Sequence, residues 1–500
     1  MHANLGAGEA HGELRLRRVK STSRAQEIVT EDEKQRRAQP DKPIHRPKDS
    51  LFSWNSTFQD YEGVMNWAFL LLFLGGTRLF LENLNKYGIR VDPSFWLHAI
   101  FGNISDGTGE FPTLYLILYT NATVLLCLVF EKLLARDWIN WTMGCTLHVI
   151  NLISLLVVPP VVINLKYKFI GPVNATIVCS VYSILLLKLV SYIQVNYWCR
   201  NHTKHAERSF QRGVRSPSLA EMYTSVRFKL GGAVMGRRGK EEIVHYPENL
   251  GIMDIYYFWL APTLCYELNF PKMQRVRKLF LMRRVLEVIA GTNIALALIQ
   301  QWIIPSVVNS LIPFSRLEFG NAAERLLKIA IPNHLIWLTW FYLIFHSFLN
   351  TMGEILGFAD REFYRDWWNA NNILTFWKNW NLPVHRWCVR HIFKPVLKSG
   401  YSVQSAQVIV FFISAFFHEY LISVPLRVFK VYAFMGMFLQ IPLIFLSSWL
   451  ERVAGPRAGN ICVWLSLIIG QPLAVMMYYH DFVVEHYGRE LINYFGQLDA

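Results

Sequence analysis

The sequence predicts an all-α polytopic membrane protein, and three observations support this fold class. Of the 500 residues, 53% are hydrophobic and only 17% are charged, whereas soluble globular chains carry roughly 25% charged residues. The apolar residues come in blocks of about twenty, the length that a helix needs to cross the hydrocarbon core of a bilayer. The 17 Trp and 22 Tyr residues suit the aromatic belts at the two membrane interfaces.

Nine apolar segments are predicted to span the membrane. In chain order they are 64–84, 111–131, 142–164, 174–195, 284–305, 327–350, 406–425, 429–449 and 461–480. Residues 1–60 are polar and contain no stretch long enough for a signal peptide, so we expect a largely disordered cytoplasmic tail and a first helix that acts as the targeting signal. The membrane domain is predicted over 61–485, followed by a short lumenal tail over 486–500.

The charge of the loops predicts the orientation. Within the loop 196–283, residues 200–242 carry ten Lys and Arg residues against four Glu residues, and the segment 351–405 is also basic. Loops on the cytoplasmic side collect positive residues because they face anionic lipid. With the N-terminus in the cytoplasm, both segments lie on that side, after four and six spans, and the C-terminus lies in the lumen.

The Lys and Arg residues that give the chain its net charge of +14 lie between the hydrophobic blocks. This charge is therefore explained by cytoplasmic loops, and a nucleic-acid partner is not expected. The seven cysteines are scattered and show no CxxC or Cys/His spacing typical of zinc sites. We expect neither a metal site nor a framework of disulfides.

A histidine inside a predicted span is the first candidate for chemistry. His418 and Glu419 follow an apolar run in the span 406–425, and ionisable groups at that depth are costly without a function or a partner. Ser414 lies one turn earlier on the face of His418. An imidazole has a pKa of about 6.5, so it can accept a proton from an alcohol near neutral pH. Taken alone, the helix leaves catalysis and hydrogen-bonded helix packing equally open.

A second unusual segment precedes this helix. It reads Phe363-Tyr364-Arg365-Asp366-Trp367-Trp368-Asn369, and Trp377, Trp380, Asn381, His385 and Trp387 follow. The Trp residues are expected to anchor the segment at the membrane interface, while Arg and Asn can contact a polar ligand. The alternative interpretation is an interfacial amphipathic helix without chemistry.

These residues resemble a known family. The run 363–369 matches the Phe-Tyr-x-Asp-Trp-Trp-Asn signature of the membrane-bound O-acyltransferases that esterify neutral lipids, and His418 in the following apolar helix completes the pattern. The likeness extends from about residue 49 to 483, with supporting segments at 49–53, 262–271 and 468–472. It is closer to the members that act on diacylglycerol than to those that act on sterols.

The resemblance implies about nine helices around an intramembrane reaction chamber and the transfer of an acyl group from acyl-CoA to diacylglycerol, yielding triacylglycerol and free CoA. His418 is implied to be the general base, with Asn381 near the thioester and Glu419 beside the histidine. The implied substrate-binding residues are Phe363, Tyr364, Arg365, Asp366, Trp367, Trp368, Asn369, Trp380, Ser414, Met437, Gln440 and Gln471. No cofactor is implied, because acyl-CoA is a substrate.

Several alternatives remain open at this point. The acceptor can instead be a sterol, retinol, a monoacylglycerol or a long-chain alcohol, since the motif does not define it. A transporter also places His and Glu in the membrane, but it predicts charged or broken helices in several spans, whereas the ionisable cluster here lies near 360–420. The resemblance further implies a homodimer or homotetramer in the endoplasmic reticulum membrane.

Overall fold

The structure, a computed structural model, describes residues 62–92, 94, 112–211, 244–273, 275–316 and 318–488. Within these ranges the chain is helical, and the one β pairing is an isolated antiparallel bridge between Lys272 and Phe358. The predicted all-α class is thereby confirmed. The predicted tail 1–60 and nearly all of the tail 486–500 lie outside the described residues.

The helices are numbered here in chain order. They are α1 Glu62–Tyr87, α2 Pro112–Ala135, α3 Trp141–Leu165, α4 Pro172–Gln211, α5 Ile252–Leu260, α6 Lys278–Leu298, α7 Ile304–Val308, α8 Leu311–Ser315, α9 Phe319–Phe341, α10 Leu349–Ile355, α11 Ile373–Trp380, α12 Leu382–Cys388, α13 Lys394–Lys398, α14 Val403–Leu426, α15 Tyr432–Phe438, α16 Gln440–Ala454 and α17 Pro456–Tyr487. Wider π-helical turns join α6 to α7, α9 to α10 and α12 to α13, at Ile299–Ile303, Tyr342–Phe348 and Val389–Phe393. A short 3₁₀ turn forms at Trp367–Asn369.

Eight helical runs of the described chain are long and apolar enough to cross a membrane. They are Pro112–Ala135, Trp141–Leu165, Pro172–His205, Lys278–Ser315, Phe319–Ile355, Val403–Leu426, Tyr432–Ala454 and Pro456–Tyr487. Each overlaps one of the last eight predicted spans. The first predicted span, 64–84, falls within the 26-residue helix α1, so a helix stands at each predicted position.

The chain divides into two compact units, Met1–Leu79 and Phe80–Ala500. Of the first unit, the structure describes the part of α1 that ends at Leu79. The second unit contains the remainder of α1 and all the later helices of the described chain.

One face of α14 belongs to the largest buried core. Tyr420 and Val424 pack in the same cluster as Tyr182 and Leu189 of α4, and the Tyr420 hydroxyl donates to the Leu156 carbonyl of α3 at 3.2 Å. Residues two apart on a helix point in nearly opposite directions. Tyr420 therefore fixes α14 with His418 turned away from this core.

A buried glutamate fixes the entry to the aromatic segment. The Glu354 side chain is 0% exposed and accepts hydrogen bonds from the backbone N–H of Arg277 at 2.6 Å and from its guanidinium at 2.9 Å. Arg361 donates to the same carboxylate at 3.2 Å. The start of α6 and the chain just before Phe363 are thus held on α10 by one acid.

The last two helices hold the start of α11. Asn372 caps α11, and its amide also donates to Glu451 of α16 at 2.7 Å. Asn460 of α17 donates to the carbonyl of Ala370 at 2.9 Å. These bonds satisfy the backbone where it changes from the signature turn into α11, and they fix that turn against α16 and α17.

The chain after α12 is bound to α4 through His391. Its Nδ1 lies 2.7 Å from Oε1 of Gln194, and its Nε2 lies 2.8 Å from Oγ of Ser191. The amide oxygen can only accept, so Nδ1 carries the proton and Nε2 accepts from the serine hydroxyl. Burial, reinforced by the neighbouring Arg390 charge, lowers the pKa of His391 to about 4. The ring is therefore neutral at physiological pH.

We expect acidification to destabilise the protein through His391. The unfolded chain binds a proton at a pKa of about 6.5, whereas the folded ring binds it only near about 4. The stabilisation is present above the higher value and is lost as the pH falls through this window, because the unfolded state then binds more protons. The Tm of the purified protein should decline as the pH is lowered between these two pKa values. His391→Gln should show a lower Tm at neutral pH and a shallower decline on acidification. An equally steep decline in the variant would assign the pH dependence to other groups.

We also expect Gly459→Ala to destabilise the protein, because a Cβ at this position of α17 would lie 1.9 Å from the carbonyl oxygen of Asn371. Backbone atoms there must move, at a cost of roughly 1–3 kcal/mol or more. The matched control is Gly470→Ala on the same helix, where a Cβ meets nothing within 4 Å. Thermal unfolding in detergent should show a lower Tm for the first variant only; equal Tm values would mean that the close approach is not structurally important.

Candidate active site

The tautomer of His418 follows from its hydrogen bond. Nδ1 lies 2.8 Å from the backbone carbonyl oxygen of Ser414, one turn earlier in α14. A carbonyl oxygen can only accept, so Nδ1 carries the proton and Nε2 keeps its lone pair. Ser414 was predicted to contact His418 or a substrate; it contacts the imidazole through its backbone, while the role of its hydroxyl stays a prediction.

The side chain of His418 is exposed in the described part of the helical fold. Ala415, three positions earlier in α14, is buried and packs in one apolar cluster with Phe411 and with Met437 of α15. The intramembrane chamber that the family resemblance implies beside His418 stays a prediction, and so does the contact of Met437 with substrate.

Glu419 is fully engaged by the protein. One carboxylate oxygen accepts from the backbone N–H of Val431 at 3.0 Å and from the hydroxyl of Ser423. The other accepts from the backbone N–H of Phe434 at 2.9 Å and from the hydroxyl of Tyr478 at 2.8 Å. With four donors bound, the carboxylate joins α14, α15 and α17. The geometry supports a positioning role next to His418.

The loop that carries Asn381 is paired with the signature segment. Asn381 lies between α11 and α12 and caps α12, because its Oδ1 accepts from the backbone N–H of Val384 at 3.2 Å. On either side of it, the Leu382 N–H donates to the Phe363 carbonyl at 3.0 Å, and the Arg365 N–H donates to the Asn379 carbonyl at 2.9 Å. The signature thereby sets the position of Asn381.

The aromatic residues of the signature form a packed cluster. Trp367 is 3% exposed, and its ring lies 5.1 Å from Phe341, 5.1 Å from Trp380 and 5.8 Å from Trp464. Trp380 is stacked on Trp337 of α9 at 4.5 Å with the ring planes 3° apart. The cluster therefore attaches the signature turn and α11 to α9 and α17. This explains the density of Trp residues by helix packing.

The other signature residues divide between buried and exposed positions. Phe363 is 3% exposed, and the Tyr364 hydroxyl lies 2.8 Å from Nδ1 of His346 in the π turn after α9. Arg365 pairs with Glu362 at 2.9 Å on the surface. Asp366, Trp368 and Asn369 are exposed. Phe363 and Trp367 pack inside the fold, and substrate contact by the residues of this segment stays a prediction.

Two predicted glutamines are held by their amide oxygens. Oε1 of Gln440 accepts from the indole N–H of Trp377 at 3.4 Å, and Oε1 of Gln471 accepts from the amide of Asn333 at 3.4 Å. Trp377 packs both in the cluster of Trp367 and in the cluster of Ala415 and Met437. It thus connects the signature with the helix of His418.

The sequence reasoning missed two histidines of α9 and its π turn. His334 lies between Trp337 and Trp464, and His346 contacts Tyr364. Both fall inside the predicted span 327–350, so the rule that selected His418 selects them as well. In the part of the chain that the structure describes, no group of three or more His, Cys, Asp and Glu residues is arranged to hold a metal ion.

Known proteins are similar to this chain over most of its length. The model of the membrane-bound O-acyltransferase family matches residues 171–480. Diacylglycerol O-acyltransferase 1 of Bos taurus is 46% identical over 440 residues, which is 88% of this chain and 85% of the relative. The Homo sapiens protein of that name is 46% identical over 89% of this chain and 85% of its own length. Diacylglycerol O-acyltransferase 1-2 of Oryza sativa is 35% identical over 88% and 86%.

We expect Glu419→Gln to lower both stability and activity without moving the pH profile of the activity that remains. The NH₂ group of the new amide would face N–H or O–H donors that now bind the Glu419 carboxylate. A buried donor left without an acceptor costs about 1–3 kcal/mol. Among the described residues, no hydrogen bond joins Glu419 to the His418 ring, so the protonation of that ring should be unaffected.

The control is Glu485→Gln, which alters an exposed pair with Lys430 at 3.1 Å and should change little, since such pairs contribute about 0–1 kcal/mol. Thermal unfolding and rate against pH are measured for both variants. A shifted pH profile with an unchanged Tm would identify Glu419 as a proton-transfer partner and contradict the positioning role.

Proposed function

Because the chain belongs to the membrane-bound O-acyltransferase family, we propose that it transfers the acyl group of acyl-CoA to the free hydroxyl of diacylglycerol, yielding triacylglycerol and free CoA. Relatives named diacylglycerol O-acyltransferase 1 support this acceptor, since they are aligned over 85% of their own length at 46% identity. The observation that carries the proposal is the tautomer of His418, whose Nδ1 is bonded to the Ser414 carbonyl, so that Nε2 keeps its lone pair on an exposed side chain.

His418 acts as the general base in this reaction. Its Nε2 takes the hydroxyl proton as the alcohol oxygen attacks the thioester carbonyl carbon, and a tetrahedral oxyanion forms. Collapse of this intermediate breaks the carbon–sulfur bond and expels the CoA thiolate, which receives the proton from His418. The imidazole is then neutral again. The transfer uses only the two substrates and the side chains of the protein, and no cofactor is invoked.

The oxyanion needs hydrogen-bond donors, and two amides supply the appropriate group. The oxygen of Asn381 is engaged by the N–H of Val384, and the oxygen of Gln471 is engaged by Asn333. A bond at the oxygen fixes the orientation of each amide and leaves the NH₂ end as the group that can donate to a substrate. Of the two, Asn381 has the better-defined position, because backbone bonds on both sides of it fix the loop.

The packed aromatic cluster has a function in this reaction as well. Water that enters the proposed reaction chamber would hydrolyse the thioester and so compete with the alcohol for the acyl group. The cluster of Trp337, Trp367 and Trp380 packs α9 and α17 against α11, and this packing excludes water from the helix contacts near Asn381. Trp367 and Phe363 thus contribute to acyl transfer by enclosing the site.

The same proposal places the chain in the endoplasmic reticulum membrane, as a homodimer or homotetramer, with its N-terminus in the cytoplasm and its C-terminus in the lumen. The basic loop 196–283 and the basic segment 351–405 support this orientation. The highly anionic head of CoA then approaches the positively charged cytoplasmic face, whereas uncharged diacylglycerol enters from the bilayer.

Microsomes that contain the chain test the reaction when they receive labelled oleoyl-CoA with either diacylglycerol or cholesterol. We expect labelled triacylglycerol with the first acceptor. If cholesteryl ester alone rises above background, the acceptor is wrong, and if neither ester forms, the proposed activity is wrong.

His418→Ala should lower triacylglycerol formation by roughly 10²- to 10⁴-fold, because general acid–base catalysis contributes about that factor. The matched control is His486→Ala, since His486 makes the same kind of bond, from Nδ1 to the carbonyl of the residue four positions earlier, at 3.0 Å. Size-exclusion chromatography should show unchanged assembly for both variants. A variant of His418 that retains wild-type turnover would remove it from the catalytic role.

A further inference from the structure

His334 is a half-buried histidine whose two ring nitrogens have no hydrogen-bond partner among the described residues. Neither Nδ1 nor Nε2 accepts or donates a hydrogen bond to any described residue, and both atoms are enclosed. A neutral imidazole always carries one donor and one acceptor. Leaving such a group unsatisfied in the interior costs about 1–3 kcal/mol, and a bound ligand group that completes its hydrogen bonds removes this cost.

Two tryptophan rings contact the imidazole ring of His334. It stacks on Trp337 at 5.2 Å with 30° between the planes, and Trp464 of α17 contacts it edge-on at 5.6 Å. Two aromatic neighbours fix the plane of the imidazole but cannot satisfy its N–H. The orientation is therefore set in advance, which is what a binding group requires.

The surroundings of His334 are those of the proposed active site. The preceding residue, Asn333, donates to Gln471, and Trp337 one turn later is stacked on Trp380, which directly precedes Asn381. Trp464 lies seven residues before Gln471 on α17, so the two share one face of that helix. His334 is thus attached on both sides to residues placed around the thioester.

The position of His334 along its helix limits which group of a substrate can reach the ring. His334 lies near the middle of the 37-residue apolar run Phe319–Ile355, which is long enough to cross a membrane, so the proposed span places it away from both ends, where the charged part of CoA belongs. A fatty acyl chain carries no hydrogen-bonding atom beyond its thioester. Diacylglycerol, by contrast, carries two ester carbonyl oxygens next to its reacting hydroxyl, and carbonyl oxygens are acceptors that suit an imidazole N–H.

We infer that His334 binds the acceptor, its ring N–H donating to an ester carbonyl oxygen of diacylglycerol and so presenting the free hydroxyl to His418. This assignment rests on the acceptor proposed above. It gives the protein a means to distinguish a glycerol ester from an alcohol without ester groups, such as a sterol. An acceptor that lacks the carbonyl leaves the N–H of His334 unpaired, which penalises its binding.

The test is a comparison of His334→Phe and His334→Gln with the wild type in vesicles that contain dioleoylglycerol. His334→Phe keeps the aromatic stack and removes both ring nitrogens, so its Tm should equal or exceed that of the wild type. Its KM for dioleoylglycerol should rise roughly 2- to 10-fold, the size of one neutral hydrogen bond, while its KM for oleoyl-CoA stays unchanged. His334→Gln retains a donor and should recover part of the acceptor KM.

A diether analogue of dioleoylglycerol, used as a competitor, identifies the contacted group, because it lacks the ester carbonyls. The wild type should bind the diether several-fold more weakly than the diester, and His334→Phe should bind the two equally. The control variant is His486→Phe, whose ring is stacked on Phe482 at 4.4 Å and should retain the preference of the wild type.

Three outcomes would overturn the inference. They are an unchanged KM for dioleoylglycerol in His334→Phe, a rise that affects the KM of oleoyl-CoA equally or alone, and a loss of activity that follows a lower Tm. The proposed function is judged separately from the wild type, since failure to form triacylglycerol there would overturn the reaction itself before any variant is compared.

Discussion

Hydrocarbon offers no hydrogen-bond partner to a polar group, and the arrangement of the ionisable residues within the membrane helices depends on this constraint. Lys188 is 4% exposed, and its ammonium donates to the three carbonyls that end α5, at 2.7–2.8 Å. Glu131 lies between Arg200 at 2.8 Å and His148 at 3.1 Å. In both places the partner belongs to another helix, so the satisfaction of one polar group also fixes the packing of two or three helices.

Against this background, the two histidines that are proposed to contact substrates differ from His391, which joins the chain after α12 to α4. His391 has a partner at each ring nitrogen, as a histidine with a packing role requires. His418 uses one nitrogen within its own helix and keeps the lone pair of the other on an exposed side chain, and His334 has neither nitrogen bound. These three imidazoles thus differ in the number of hydrogen bonds that the protein supplies, which is two for His391, one for His418 and none for His334.

The fold was largely predictable from sequence, because each span reads as a block of apolar residues and a bilayer allows few structures besides helices. The detailed interior was not. Glu419 obtains donors 12, 15 and 59 residues away, and no local pattern encodes such distances. The packing of Trp367 among other rings was also not predictable, because residue type alone does not distinguish a ring that contacts substrate from a ring that packs; its contact with substrate stays a prediction. The π turn at Tyr342–Phe348 leaves the hydropathy profile unchanged and gives no signal.

The stacked rings of Trp337 and Trp380 form an intrinsic spectroscopic probe. Two indole rings 4.5 Å apart and 3° from parallel couple their electronic transitions, and such coupling weakens steeply as rings separate or tilt. One ring belongs to the helix of His334 and the other precedes Asn381, so the pair bridges the elements assigned to the two substrates. Its circular dichroism therefore reports the spacing of those elements while acyl-CoA and acceptor bind, with no attached label.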